Sequence, residues 1–359
     1  MPRPTSALPK ILPACTGLDI DNRALGELVD ADPALAKRLE RYVTTFYARF
    51  DGRIVGGPRS LSVAGPQVGA LVAWIHALIS HVQRTMPRRI ASLLWTDAVT
   101  RGVAARLLAQ IDHSAPPDQA FALGFAWSLA TFDLLKDDAD RQLRWWRDIR
   151  RRPAGPERHS LQVKLLGDEP QLNLSRTVAD WGLPSELLDV LAAPANETVA
   201  AHARPLRNLI ERADALTSAL SAAGSGAALN DWIKRTTQEL GISAAGAWKL
   251  TEEVIDTTPT VAEALDLPIR RFAPLDRLLL RRGEPSVVSE ANELAILVEL
   301  QRELIRAARA RVTDIENELA FRNAVDSVTD LLTLQAFCAR LRVQMGEGSA
   351  QLGAMVAID

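Results

Sequence analysis

The sequence predicts an all-α protein, and three observations carry that expectation. Apolar residues recur at intervals of three and four, the spacing that gathers them on one helix face. Alanine, leucine and arginine, all good helix formers, are abundant, and aromatic residues are only 5% of the chain. No convincing strand alternation is found in the first 270 residues.

The elements follow in order. Leu25, Leu28, Leu35, Leu39 and Val43 lie on helical faces. Asp32-Pro33 places an N-cap residue before a proline at the first helical position. One helix therefore ends near Asp30 and the next starts at Pro33. Gln67–Val82 and Ile90–Ile111 are the next expected helices. Asp118–Leu135 follows the breaker Ala115-Pro116-Pro117. Leu161–Leu166 is the one stretch that reads as extended. Ser175–Trp181 and Pro184–Leu191 are short helices separated by Gly182, and Thr198–Ala222 is long. Asn230–Leu240 and Ser243–Thr257 complete the series.

Pro268–Pro285 reads as a connector. Glu290–Ala324 is a long helix with Leu297, Leu300, Leu304, Ala308, Val312, Ile315 and Leu319 on one stripe. Its mixed threes and fours suit either a short coiled coil or an amphipathic helix packed on its own domain. Leu331–Val343 reads as helix and Leu352–Ile358 as a small strand, giving an α/β fragment.

Composition narrows the function. With 359 residues the chain is long enough for two or three units. A net charge of -2 argues against a strongly basic nucleic-acid protein. Cys15 and Cys338 are the two cysteines, too few for a disulfide framework or a cysteine zinc site, so a reducing compartment is expected. The apolar stretch Val68–Ile79 is too short to span a bilayer. The expectation is a cytoplasmic protein with no membrane partner.

Several segments, in order, resemble the HDOD domain of bacterial signalling proteins. Asp32–Leu39 is similar to the family's DPAL segment. Arg53-Ile54 and Arg59-Ser60-Leu61 resemble a short turn leading to a helix that begins at Gly65. Phe121–Ala126 is similar to the helix that carries the family's name position, Ala179–Pro184 to its W-G-L-P element, and Ala213-Asp214 falls in the following helix. The resemblance implies a helical regulatory domain over 1–270. In the related HD phosphohydrolases a His-Asp pair on this helix holds a divalent metal, and the register here places Trp127-Ser128 at that pair. An indole cannot ligate a metal and a lone hydroxyl is a poor ligand. The five histidines, His76, His81, His113, His159 and His202, are scattered, and none is followed by an aspartate to make the His-Asp order. No metal, no cofactor and no catalysis are therefore expected.

From Ala324 the chain resembles the beginning of a GGDEF domain. Asp326–Leu331 is similar to the D-x-L-T-G-L motif, with Asp330 in place of its glycine and Thr333-Leu334 in place of an Asn-Arg pair. Val356–Asp359 resembles the first strand, whose closing aspartate carries metal in active cyclases. The GG[DE]EF loop is absent. The resemblance thus implies three parts, 1–270, a connector and signalling helix over 271–323, and a partial GGDEF-like segment over 324–359. It also implies a link to cyclic di-GMP signalling, or the N-terminal part of a diguanylate cyclase.

Arg144-Trp145-Trp146-Arg147 with Arg150-Arg151-Arg152 is the densest basic stretch. It reads as an anion surface or as a helix end with inward tryptophans. Trp127 inside an apolar helix reads first as core. The candidate ligand or partner surface is Trp127, Ser128, Arg144, Trp146, Arg147 and Arg151. The candidate dimer or signalling face is Leu297, Leu300, Leu304, Ile315 and Leu319. The expectation is a module that binds a protein partner or small signal and pairs through Glu290–Ala324. Gly56-Gly57-Pro58 lacks a following Lys-Ser/Thr, and no G-x-S-x-G elbow is present.

Overall fold

The computed structural model describes residues 22–47, 55–83, 88–135, 138–150, 152, 154–178, 185–193, 200–221, 225–270 and 272, with scattered positions between 298 and 337. It divides into two compact units, Met1–Leu297 and Val298–Asp359. All the regular structure among the described residues is helical, as the sequence predicts.

The first unit begins with α1 (Asn22–Asp30) and α2 (Pro33–Tyr47). Asp32 caps α2 as expected: its carboxylate accepts from the backbone N–H of Ala34 and of Leu35, both at 3.1 Å. The short turn expected before Gly65 is instead a helix, α3 (Gly57–Ala64), with Pro58 near its start. The chain then bends by 119° and enters α4 (Pro66–Gln83). Residues Val68–Ile79 of α4 are buried on every side, as a core helix requires.

Next come α5 (Arg88–Asp112) and α6 (Pro117–Leu135), the central pair of the unit. Their close approach depends on two glycines. A Cβ on Gly102 would lie 3.0 Å from the Phe121 carbonyl oxygen, and one on Gly124 would lie 2.9 Å from the Arg101 carbonyl oxygen. Trp95 and Phe125 stack between the two helices, with ring centroids 6.0 Å apart.

Beyond α6 the chain forms α7 (Ala139–Arg144), capped by Asp138, which passes directly into a π turn, Trp145–Ile149. Leu161–Leu166, expected as extended, is the second half of α8 (Pro156–Leu166). Pro156 opens that helix, and Gly167 ends it with φ 78°, a left-handed position suited to glycine. Then follow α9 (Pro170–Val178), α10 (Ser185–Ala192), α11 (Arg204–Ser221), α12 (Ser225–Leu240) and α13 (Ala244–Ala264).

Four of these boundaries depart from the expectation. Helix α9 starts at Pro170, five residues before Ser175. The helix expected from Thr198 begins at Arg204, after a turn over 201–203. Pro205 sits in its first turn, where its missing N–H costs nothing. Helix α12 starts at Ser225, five residues before Asn230, and brings Leu229 into the core. Helix α13 starts after the Ser243 cap but continues through Pro259 instead of ending at Thr257. Burial of Val261, Ala262 and Ala264 beyond the proline offsets the lost hydrogen bond, about 3 kcal/mol. Helices α11 and α13 both pack on α5, and α4 and α9 on α6.

In the second unit the described positions between Val298 and Leu319 are helical. Among them Val298, Ile305, Val312, Ile315 and Leu319 are exposed. Leu297, Leu300 and Leu304 lie outside the described residues, as do the strand expected over Leu352–Ile358 and the motifs Asp326–Leu331 and Ala179–Pro184.

Candidate functional site

Where α5, α6, the π turn, α8 and α11 converge, the first unit holds a cavity of about 360 Å³. Helix α5 contributes Leu94, Asp97 and Arg101, three and four residues apart and so on one face. Helix α6 contributes Trp127, Ser128 and Thr131 by the same spacing. Trp145 of the π turn, Arg158, His159 and Gln162 of α8, and Arg207, Glu211 and Asp214 of α11 complete most of the wall. Arg235 of α12 stands at one side, shared with a second cavity of about 330 Å³.

The wall is heavily charged. Four guanidinium groups (Arg101, Arg158, Arg207, Arg235) face three carboxylates (Asp97, Glu211, Asp214). Arg101 is buried, at 4% side-chain exposure, and donates to both the Ser128 hydroxyl and the Asp214 carboxylate. Asp97 accepts two bonds from Arg150, at 2.9 and 3.1 Å, a bidentate pair. Arg207 bonds Glu211 at 2.6 Å and the carbonyls of Val190 and Ala193, so it also caps the end of α10. Its guanidinium lies 4.7 Å from the centre of the Trp127 ring. Gln162 donates to Thr131 at 2.7 Å.

These neighbours set the titration of Asp214. Burial works to raise its pKa, but the positive charges of Arg101 and Arg158, with the Arg101 hydrogen bond, hold it below the ordinary carboxylate value. Arg158 shows the converse: burial lowers its pKa, Asp214 and Asp97 raise it, and Arg101 and Arg150 lower it further. Among the described residues its guanidinium bonds only the Ser218 hydroxyl.

The sequence-predicted residues fall in different places. Trp127 and Ser128 both line the cavity, and Trp127 is part-exposed rather than core. Arg144 lies elsewhere, exposed, and pairs with Asp140 at 2.5 Å along its own helix. Trp146 and Arg147 fall within the π turn, but their side chains and all of Arg151 lie outside the described residues. Of the basic stretch, Trp145 is buried against the cavity and Arg150 reaches it through Asp97.

Sequence reading missed Arg101, Arg158, Arg207 and Arg235. They stand singly on four helices, so no local run marks them. One signal was available: Arg101 of α5 stands between Ala98-Val99 and Val103-Ala104-Ala105, and a charge with such neighbours must find a partner.

The metal centre that the resemblance implies finds no donor set here. Ser128 and Asp214 each accept from the Arg101 guanidinium, whose permanent charge beside them would repel a divalent ion. Among the described residues no three of His, Cys, Asp and Glu converge to hold an ion. The described residues of this cavity do not fit a metal.

A family model described as the HDOD domain matches residues 1–196, more than half of the chain. Among solved structures, one similar fold is a candidate phosphohydrolase from Shewanella amazonensis SB2B. It has 17% identity and a TM-score of 0.52 over 74% of this chain and 95% of that one. Another is a candidate signal transduction protein from Marinobacter aquaeolei VT8, with 16% identity and a TM-score of 0.52 over 74% of this chain. The match spans 59% of that protein's length. At such identities the likeness concerns the fold. No curated protein matches the chain.

Proposed function

The chain belongs to the HDOD family, and from that premise we propose that it is a non-catalytic signal-transduction module. Its helical unit receives a signal as a bound small molecule or protein partner. A connector and the helix around Val298–Leu319 pass the change to a second copy or an output domain. The observation that carries this reading is the Arg101 guanidinium bonded to Ser128 and Asp214. A fixed positive charge bonded to Ser128, which the resemblance places at the metal-holding pair of the related enzymes, supports a site without an ion, and a guanidinium supplies no nucleophile.

The finer parts of the reading rest on the sequence. The division at 270 rests on the connector expected over Pro268–Pro285, and the division at 323 and the link to cyclic di-GMP signalling on the GGDEF-like residues Asp326–Leu331 and Val356–Asp359. A cytoplasmic setting fits the absence, among the described residues, of any single helix long and apolar enough to cross a membrane.

The test is metal content together with turnover. The purified chain is incubated with manganese, iron(II) and zinc, desalted, and analysed for bound metal and for hydrolysis of p-nitrophenyl phosphate. The expected result is far less than one metal per chain and no rate above the metal-only control. Stoichiometric metal with turnover that disappears on Asp214→Ala would overturn the reading.

A further inference from the structure

The geometry points to the 360 Å³ cavity as a binding site for a small organic anion that combines one phosphate or carboxylate group with a flat ring, the anion at Arg158 and the ring at the Trp127 indole. The inference rests on the proposed non-catalytic reading of this cavity and gives its signal a chemical class.

The charge distribution is the first argument. Four guanidinium groups against three carboxylates leave the wall with an excess of fixed positive charge. The pairs are not shared evenly. Arg101 holds Asp214, Arg150 holds both oxygens of Asp97, and Arg207 holds Glu211. Arg158 is left with a hydroxyl, that of Ser218. A guanidinium cannot shed its proton at neutral pH, so a part-buried one is stabilised by an arriving anion. Its pair of parallel donors matches a carboxylate or phosphate edge.

The second argument is the wall beside it. Trp127 is part-exposed on the cavity, and Arg207 against its ring fixes the indole's plane. A fixed indole is a surface on which a flat ring stacks. Thr131 and Gln162 add polar atoms that can orient such a ring. The volume also limits the occupant. Ligand cavities run from about 300 to 1,000 Å³, and this one lies at the small end, which suits a single small molecule better than a peptide segment.

The test separates the two halves of the ligand by calorimetric titration of the full chain. GMP, AMP and indole-3-acetate carry both anion and ring. Inorganic phosphate and acetate carry only the anion, and guanosine only the ring. At least one compound with both parts is expected to bind ten-fold or more tightly than its separate parts. Preference for the nucleotides or for indole-3-acetate would tell phosphate from carboxylate recognition, either supporting the assignment. Arg158→Gln and Trp127→Leu are each expected to weaken that binding at least ten-fold while the circular dichroism melt stays cooperative.

No saturable binding of any two-part compound below 1 mM would overturn the inference, as would the matching anion alone, phosphate or acetate, binding as well as the two-part compound that binds best. The wild-type panel reads this without either variant. Each mixture is then checked for product. Hydrolysed GMP would sink the non-catalytic reading while leaving the site in place, and a panel left intact with no two-part compound bound would sink this inference alone.

Discussion

His76 is buried on α4 between two charges brought to it by α2 and the loop before it. Its Nδ1 accepts from Arg38 at 2.7 Å, which leaves Nε2–H facing Asp32 at 3.4 Å. Arg38 also donates to the Leu265 carbonyl just beyond α13, so this one imidazole helps tie three helices together. Burial, then the Arg38 charge, lowers its pKa to about 4, with Asp32 opposing. The sign of the linkage follows. Between about pH 6.5 and 4 the unfolded chain binds a proton at this position and the folded chain does not. Stability therefore falls as pH drops through that window, by up to about 3 kcal/mol from this group. His76→Asn keeps an acceptor for Arg38 and removes the titration. Urea unfolding at pH 7 and pH 4.5 should show a smaller loss of stability in the variant than in the wild type. An equal loss in both would mean that His76 is not the group responsible. The sequence could name this histidine but not its state: it lies 38 residues from Arg38 and 44 from Asp32, and only the folded chain brings them together.

At the scale of the helix, the α5–α6 contact places the cavity's residues. Arg101 precedes Gly102, and Trp127-Ser128 lies one turn after Gly124, so the two glycines set how far Ser128 stands from Arg101. A methyl group on Gly124 would meet the Arg101 carbonyl at 2.9 Å, a backbone atom that cannot swing aside. Gly124→Ala should destabilise the unit by about 1–3 kcal/mol through overpacking, although alanine is the better helix former. Thermal unfolding would show it as a lowered midpoint, and an unchanged or raised midpoint would mean the helices separate without cost. Periodicity made α2, α4, α5 and α6 legible, because long apolar helices announce themselves. It misread Leu161–Leu166, where six residues are too few to separate a helix from a strand and the decisive signals, Pro156 and Gly167, lie at the two ends. It also carried α11 too far upstream, because apolar spacing continues across residues whose backbone turns before Pro205.

For the whole molecule, the family and the all-helical fold were legible because segments such as Asp32–Leu39 and Phe121–Ala126 are contiguous. The cavity was only half legible: Trp127 and Ser128 stood out as neighbours on one helix, but the arginines opposite them come from α5, α8, α11 and α12. The second unit poses a different question. Val298, Ile305, Val312 and Leu319 are spaced seven apart on helical backbone, with Ile315 three after Val312, and all five are exposed. A seam repeating every seven residues is the pattern that two helices bury by supercoiling. Single exposed apolar residues are ordinary, but a row at this interval is not. In a parallel pairing Arg311 and Glu316, flanking the seam, would stand opposite each other across the two copies, an attractive pair. The full chain is therefore expected to dimerise through this helix. Val312→Glu places a charge at the centre of the seam and should shift light scattering from a dimer mass to a monomer mass. The helical unit's circular dichroism melt should not change, because Val312 lies outside it. A wild type that remains monomeric across concentrations would remove pairing from the mechanism, as would a variant that stays fully dimeric. The HDOD unit would then have to deliver its signal by way of a different protein.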